Sequence, residues 1–321
     1  MNNTIIALNL MVLSFNSLAA EADNFTARQL EIADSSAIVN QLANDYLEKA
    51  LNNLNQVSAC DEKQLYKELR KYFANHSKGE FTKDLLYKNV APIYNLPLKE
   101  SIYENWTIPN GFILGRKKAA LSPLALSPLI RIGDEVVGVD KFEHMFGMGH
   151  QYFTKYHLKR KDIQNVLKFG IAFEKTVLGG NVLATGVFSY ADLAANFNGM
   201  RFWNHFLQKD DDILGKEYNL GPYVVCQNNK WQSHTQNKID FSNYIDSSMD
   251  ESINCSKFAT KAAVAKAKSA IKKRQLSNGS SLCPLEDNKL RTIQRKYNVK
   301  NIEHFIINKD GIGDVSYFNE F

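Results

Sequence analysis

One carboxylate, Glu174, could donate a proton, because the sequence places it on the buried face of a helix. The apolar residues of this helix recur at i, i+3, i+4, i+7 and i+8: Ile163, Val166, Leu167, Gly170 and Ile171. Glu174 continues this face, and Gly179-Gly180 predict the end of the helix soon after it. Apolar neighbours and a helix C-terminus both favour a protonated carboxyl group. We therefore predict that Glu174 is a general acid; the alternative is a structural ion pair with a buried base such as a histidine.

A second candidate carboxylate, Glu143, stands three residues after Asp140, in the D-x-x-E spacing that opens a helix. The positive end of the helix dipole favours an ionised carboxylate there, so Glu143 suits an ionised catalytic partner better than a proton donor. His144 and His150 introduce the alternative of a metal site, whose possible oxygen ligands are Asp140, Glu174 and Asp192. However, the two histidines lie about 240° apart around a helix, unlike the histidines of a zinc-binding H-E-x-x-H motif. We predict no metal and no cofactor, and a hydrogen bond between His144 and a carboxylate in the core.

Polar residues after this helix are candidate contacts for a substrate. Thr185 lies in a short segment, 181–188, that is consistent with a hairpin or an extended loop. Ser189 and Asp192 have the S-x-x-D form of a capping box, which predicts that a second helix begins here. Asp192 and Asn196 are i, i+4 neighbours on that helix and could together bind a sugar hydroxyl or an amine; a helix cap and a satisfied polar contact are the alternative. We predict substrate-binding roles for all four residues.

The elements that must position these residues are mainly helical. Residues 38–54 and 64–73 show helical periodicity and predict packing helices without chemistry. Residues 130–139 predict a pair of short strands around a turn at Gly133-Asp134. The order of helix, short β segment and new helix around Glu174 resembles the catalytic core of lysozymes. The predicted fold class is therefore mainly α (α+β), with a lysozyme-like helical core, a short β-hairpin and N-terminal packing helices.

The start of the chain predicts export. Residues 5–15 form an apolar run too short to span a bilayer, and small residues follow it, as in a secretory signal peptide cut near residue 19 or 22. No later run reaches the length of a membrane helix, so we expect no transmembrane segment and a periplasmic or secreted protein. We divide the chain into a signal peptide (1–22), an N-terminal helical region (23–110), a lysozyme-like core (111–256), and a basic helix with a C-terminal tail (257–321).

Composition excludes few classes of protein. The 321 residues include 39 basic and 34 acidic ones, a formal net charge of +5. This mild excess fits an anionic surface or polymer and does not require nucleic acid. The sequence contains no zinc finger, Walker loop or G-x-G-x-x-G motif and no internal repeat. We predict no nucleic-acid partner, and the oligomeric state stays open.

Four cysteines in an exported chain predict two disulfides, with three possible pairings. We favour Cys226 with Cys255, because the two flank a compact aromatic segment. That choice leaves Cys60 and Cys283 without an assigned pairing. The spacings exclude a C-x-x-C redox pair and an ordinary zinc site, and free buried thiols are the alternative.

Two later segments carry charge of opposite sign. An acidic segment within 240–251 would attract a cationic substrate, and a basic helix within 257–274 would attract phosphate groups. Solvated helix faces are the alternative for both. The acidic residues are Asp240, Asp246, Asp250 and Glu251.

Several motifs resemble a family of exported bacterial proteins that includes the lysozymes of predatory bacteria, which act on N-deacetylated peptidoglycan. They are VDKFEHMFGMGHQYF, FEKTVLGG, TGVFSYADLAANFNGMRFWN, PYVVC and DESINC, the most specific part being SYADLAANFNGMRFW. The resemblance covers residues 100–256 and implies a lysozyme-like fold and cleavage between amino sugars. By position it implies that Glu174 is the helix-end acid. The family's tyrosine corresponds either to Tyr190 or to a position in the short hairpin, where this chain has Val187 and Phe188.

The sequence thus predicts an exported glycoside hydrolase whose partner is the glycan of peptidoglycan. Glu174 protonates the leaving oxygen, and Tyr190 stabilises the oxocarbenium-like transition state or positions water. An acidic groove made by 240–251 would favour glucosamine, whose free amine is cationic. Two other classes remain: a non-catalytic periplasmic binding or envelope protein, and a metal-dependent hydrolase that uses His144 and His150.

Overall fold

The computed structural model describes residues 21–56, 59–115, 125–175, 181–276 and 281–315. Gly179-Gly180 and the apolar run of the predicted signal peptide lie outside these ranges. No helix within them has the length and apolar character needed to cross a membrane. In chain order the helices are α1 (Asn24–Ala27), α2 (Ser36–Leu54), α3 (Glu62–Leu69), α4 (Glu80–Tyr87), α5 (Asp140–Phe146), α6 (Met148–Phe153), α7 (Ile163–Lys175), α8 (Asn181–Ala184), α9 (Tyr190–His205), α10 (Lys261–Lys273), α11 (Asp287–Lys296) and α12 (Glu303–Ile306).

Within the described ranges, short strands form three small sheets, so the fold there is mainly helical α+β. The strands are β1 (Leu129–Ile132), β2 (Glu135–Gly138), β3 (Val187–Phe188), β4 (Val224–Gln227), β5 (Lys230–Ser233), β6 (Lys257–Phe258) and β7 (Gly313–Asp314). β1 and β2 form the antiparallel pair expected around Gly133-Asp134, and β4 pairs antiparallel with β5. β3 pairs antiparallel with β6, which pairs parallel with β7. The segment 181–188 is therefore a helical turn and a strand; its strand pairs with the distant β6 and forms no local hairpin.

Helix α9 lies at the centre of the molecule, and all its residues are buried. Ser189 caps it as predicted, because its hydroxyl accepts a hydrogen bond of 3.2 Å from the backbone N–H of Asp192. Glycines allow α6 to cross α9 closely. A Cβ on Gly149 would lie 2.6 Å from the Cα of Gly199, and a Cβ on Gly199 would lie 2.2 Å from the carbonyl oxygen of Met145. Backbone packing at this crossing fixes α5 and α6 against the central helix.

One hydrophobic core joins the predicted N-terminal region, central region and C-terminal tail; Val39, Phe202 and Ile302 all belong to it. The first residues that the structure describes, Glu21 and Ala22, pack against this core. Both are buried, and the Glu21 carboxylate accepts a hydrogen bond of 2.6 Å from the hydroxyl of Thr185. A signal-peptide cut after residue 22 would remove these contacts, whereas a cut near residue 19 would keep them.

The structure confirms two disulfides and corrects their pairing: Cys60 bonds Cys226, and Cys255 bonds Cys283. The predicted Cys226–Cys255 bond is wrong because the β4–β5 hairpin docks against the end of α2, near Cys60. Asn55 fixes this docking: its side chain donates to the carbonyl oxygen of Trp231 at 2.8 Å and accepts from the Trp231 backbone N–H at 2.9 Å.

Candidate functional site

A cleft of about 300 Å³ opens where the end of α3, the α5–α6 junction, α7 and α9 meet. It contains both carboxylates that the sequence singles out, Glu174 and Glu143, and one of the predicted substrate contacts, Asn196. Its lining residues are Arg70, Ala74, Asn75, Lys78, Glu143, His144, Gly147, Met148, Gln151, Phe169, Phe173, Glu174 and Asn196.

Glu174 lies on the buried face of α7, as the periodicity predicts, and is only 2% exposed. The helix begins near Asp162, whose carboxylate accepts from the backbone N–H of Gln164 at 2.8 Å. Because Glu174 also lines the cleft, its carboxyl group is shielded from bulk water yet accessible to a ligand. That position suits a proton donor or acceptor.

Tyr152 packs against α7 beside Glu174. A Cβ on Gly170, one turn before Glu174, would lie 1.5 Å from the Tyr152 hydroxyl oxygen, so only glycine leaves room for that hydroxyl. Burial, and to a smaller extent the charge of Glu174, raises the pKa of Tyr152, so this phenol remains neutral. The sequence did not predict this role of Tyr152, because the position of Gly170 on the helix face does not show which side chain packs against it.

His144 is held in its charged form at the floor of the cleft. Its Nδ1 lies 3.1 Å from the Asn196 side-chain oxygen, and its Nε2 forms an ion pair of 3.1 Å with Asp192. Both ring nitrogens therefore face oxygen acceptors. Burial disfavours the imidazolium, but Asp192, with smaller contributions from Glu174 and Asp140, outweighs it and raises the pKa of His144 to about 9. His144 thus contacts a core carboxylate, as predicted, and does so through an ion pair with Asp192.

Glu143 is anchored by the loop that follows α3. Its Oε1 accepts from the His76 backbone N–H at 2.8 Å and lies 2.6 Å from His76 Nδ1. The hydrogen bond to Glu143 raises the pKa of His76, although burial opposes this. Glu143 stands in the first turn of α5, where the helix dipole also favours a carboxylate. Its orientation is thus fixed by two hydrogen bonds.

A buried ion cluster lies behind the cleft, around Lys141. The lysine ammonium, 0% exposed, contacts Asp192 at 2.6 Å, Asp140 at 2.7 Å and Glu251 at 3.0 Å. Burial opposes its charge, but these carboxylates outweigh it and raise the pKa of Lys141. Asp140 is therefore the first residue of α5 and not its cap, since its carboxylate binds the neighbouring lysine. The sequence predicted no role for Lys141, which lies within VDKFEHMFGMGHQYF.

The carboxyl groups of this cluster titrate differently. Burial raises the pKa of Glu21 and Asp140, and raises that of Glu251 to about 7. Burial would also raise the pKa of Asp192, but the charges of His144 and Lys141 hold it well below its usual range. At neutral pH the cluster therefore combines an ionised Asp192 with a Glu251 that still holds a proton for part of the time.

Three of these groups also have the geometry of metal ligands. Within the described ranges, one ligand atom each from Asp140, His144 and Asp192 lie within 4.8 Å of one another. However, both aspartates already contact the Lys141 ammonium, and His144 carries a proton where a metal needs a lone pair. The residues present therefore do not fit a metal ion.

His150 does not join this group. It packs edge-on against Trp203, with ring centroids 4.8 Å apart, and lines a different recess together with Tyr66. Burial, with a smaller effect of Arg70, lowers the pKa of His150 to about 4. Gly147, where α5 ends and α6 begins, interrupts the helix between the two histidines.

The other predicted site residues lie away from the cleft. Tyr190 is buried in the first turn of α9, with its ring 5.2 Å from that of Phe188. The Ser189 hydroxyl donates to Glu251 as well as capping α9. The carbonyl oxygen of Thr185 accepts from the Trp106 indole N–H at 2.9 Å. These contacts give the three residues structural roles.

The acidic segment does not form a rim of the cleft. Its members are occupied by distant partners within the core or at its edge: Asp240 contacts Asn40, Asp246 contacts Lys296 and Tyr297, Asp250 contacts Arg28, and Glu251 contacts Lys141. The proposed attraction of a cationic amine to this segment therefore loses its structural basis.

Sequence reasoning also missed the opposite side of the cleft. Arg70 and Lys78 contribute exposed cations there, and α7 contributes two half-buried rings, Phe169 and Phe173, whose centroids are 6.2 Å apart. The phenylalanines lie at i, i+4 on α7, off its buried face, which is a weak signal that α7 also meets a ligand surface.

Comparison of the chain with protein-family models, with curated proteins and with solved structures gives no match in any of the three.

Proposed function

We propose that this protein is an exported glycoside hydrolase of the lysozyme class that cleaves the glycan strands of peptidoglycan. The observation that supports it best is the position of Glu174, a carboxyl group that is buried and yet lines a cleft. A second carboxylate, Glu143, lines the same cleft, and two carboxyl groups flanking the scissile bond are what most glycosidases use.

In this mechanism Glu174 protonates the leaving glycosidic oxygen. The imidazolium of His144 then stabilises the carboxylate that remains, because a negative charge on Glu174 lies close enough to His144 to raise the pKa of the imidazole. Tyr152 packs against α7 at Gly170, one turn before Glu174, and so holds the helix that carries the acid. His144 and Tyr152 are positioning residues, because each acts through Glu174.

Glu143 acts as the ionised partner. Its two hydrogen bonds from His76 hold it in place, and one carboxylate face remains on the cleft, where it can orient a water or stabilise positive charge on the sugar ring. Phe169 and Phe173 line the cleft with apolar rings against which a sugar can pack, and the Lys155 ammonium lies 4.0 Å from the Phe169 ring centroid. Tyr190 receives no catalytic role in this proposal, because its ring is buried against Phe188.

The test is release of soluble muropeptides, followed by mass spectrometry, from native and chemically N-deacetylated peptidoglycan. Wild type should release products whose masses identify the cleaved bond. Glu174→Gln and Glu143→Gln should each lose at least about a hundredfold in rate, as expected when general acid–base catalysis is removed. Glu217→Gln, an exposed glutamate outside the cleft, is the matched control and should retain activity.

Circular dichroism and thermal melting must show that each variant is folded. If folded Glu174→Gln cuts as fast as wild type, Glu174 is not the acid. If wild type cuts neither substrate but binds the sacculus, the protein is a binding or envelope protein. Activity should persist in a chelator. Both aspartates that could bind a metal already pair with the Lys141 ammonium, and His144 is protonated.

A further inference from the structure

The charges of the cleft are separated by depth. Glu174 lies buried at the floor, whereas Arg70 and Lys78 are exposed at the opening. Neither cation forms an ion pair with a residue in the part of the chain that the structure describes. Two lysines of the same region do: Lys71 pairs with Glu68 at 2.5 Å, and Lys88 pairs with Asp84 at 2.7 Å. The two cations at the opening are thus available to a ligand.

The backbone that carries these cations is fixed. Arg70 is the C-cap of α3. Lys78 lies in a tight turn closed by hydrogen bonds of 3.0 and 2.8 Å from the backbone N–H groups of Lys78 and Gly79 to the carbonyl oxygen of Asn75. A Cβ on Gly79 would lie 2.5 Å from Ala74, so the two backbone segments of this turn approach closely. The attachment points of both cations at the opening are therefore fixed by the backbone.

We propose that Arg70 and Lys78 bind a carboxylate of the substrate, so that the cleft selects glycan strands whose sugars carry an acidic substituent. This proposal rests on the proposed function. In peptidoglycan, alternate sugars carry an ether-linked lactyl group, which ends in a free carboxylate or in a peptide that itself carries carboxylates. A planar guanidinium forms paired hydrogen bonds with such a group, and a lysine adds a second positive charge.

The proposal reverses the expectation for glucosamine. A free amine at the opening would meet two like charges, and the acidic residues expected to attract it are occupied elsewhere. The expected order of affinity is acidic strands first, neutral strands second and cationic strands last.

The test compares three oligosaccharides of equal length with the same β-1,4 backbone. One is peptidoglycan glycan freed of peptide by an amidase, so that each muramic acid bears a free lactyl carboxylate; the others are a neutral chitin oligomer and its deacetylated, cationic form. Binding is measured by calorimetry to folded Glu174→Gln, alone and combined with Arg70→Gln or Lys78→Gln. Lys159→Gln, which removes an exposed charge outside the cleft, is the matched control.

Each cleft variant should weaken binding of the acidic oligomer by about three- to tenfold, the range expected of a charge-assisted hydrogen bond at an exposed position. Binding of the neutral oligomer should not change, and the preference should shrink in high salt. In the active enzyme, the same variants should raise KM for acidic strands and leave kcat nearly constant.

Equal affinity for acidic and neutral oligomers, or equal losses in the cleft variants and in Lys159→Gln, would overturn the proposal. Binding is measured without catalysis, so the two proposals fail separately. Selective, Arg70-dependent binding without cleavage would reject the hydrolase and keep the carboxylate site, whereas cleavage without selectivity would do the reverse.

Discussion

Replacing Lys141 with methionine tests whether the buried ion cluster holds the site together. Methionine preserves most of the volume and removes the charge. The ammonium now lies 2.6 to 3.0 Å from the carboxylates of Asp140, Asp192 and Glu251. Without it, these three carboxylates would remain buried close together. His144 would remain as a cation for Asp192, but Glu251 would lose its countercharge.

The expected loss is about 3–5 kcal/mol in the free energy of unfolding, the usual cost of removing one partner from a buried ion pair. The loss should depend on pH. Glu251 has a pKa of about 7 in the folded protein, above its ordinary value, and burial also raises the pKa of Glu21. Glu251 is largely protonated at pH 5, which leaves less uncompensated charge. The deficit of Lys141→Met should therefore be smaller at pH 5 than at pH 8.

Urea unfolding followed by fluorescence at both pH values, with the disulfides intact, measures this deficit. Glu251→Gln in the Lys141→Met background should recover part of it, because the amide oxygen still accepts from Ser189 and carries no charge. A deficit below about 1 kcal/mol that is independent of pH would refute the view that Lys141 neutralises buried carboxylates.

Three further predictions concern stability. The folded pKa of His144, about 9 against 6.5 when unfolded, provides stability that is complete below pH 6.5 and lost as the pH rises through 9. Between pH 6 and 10, wild type should lose about 3 kcal/mol more than His144→Gln in urea titrations. Replacing both cysteines of the Cys60–Cys226 bond, which spans 166 residues, should cost about 5 kcal/mol by loop entropy, against about 4 kcal/mol for the other bond, which spans 28. Gly199→Ala should lower the free energy of unfolding by about 2 kcal/mol in thermal or urea melts, because its Cβ would meet the Met145 carbonyl; an unchanged or higher value would contradict the close helix crossing.

Local patterns predicted the parts of the site that depend on one helix. The 3.6-residue period placed Glu174 on the buried face of α7, and the S-x-x-D box placed the start of α9 at Ser189. The turn at Gly133-Asp134 likewise fixed the β1–β2 hairpin. In each case the determining contacts lie within a few residues, so periodicity and capping contain them.

Features that depend on distant segments were not predictable in this way. A lysine becomes a core residue only when carboxylates from other elements surround it, and those of Lys141 come from α9 and from the segment at Glu251. The Cys60–Cys226 bond depends on how the β4–β5 hairpin docks, and Arg70 reaches the cleft only because α3 ends beside α5. None of these arrangements follows from spacing along the chain.

Two short patterns within the motifs that carry the resemblance, D-K-x-x-H at 140–144 and S-x-x-D at 189–192, form one structural unit. Asp140 and His144 are i, i+4 on α5 and both face Asp192, while Lys141 reaches the same carboxylate from the neighbouring position. Glu143 lies on another side of α5 and meets His76 at the cleft. D-K-x-x-H and S-x-x-D therefore place α5 against α9 and so set the floor of the cleft. Because most of their side chains hold the framework, the resemblance bears more directly on the fold than on the reaction, and the chemistry depends on Glu174 and Glu143.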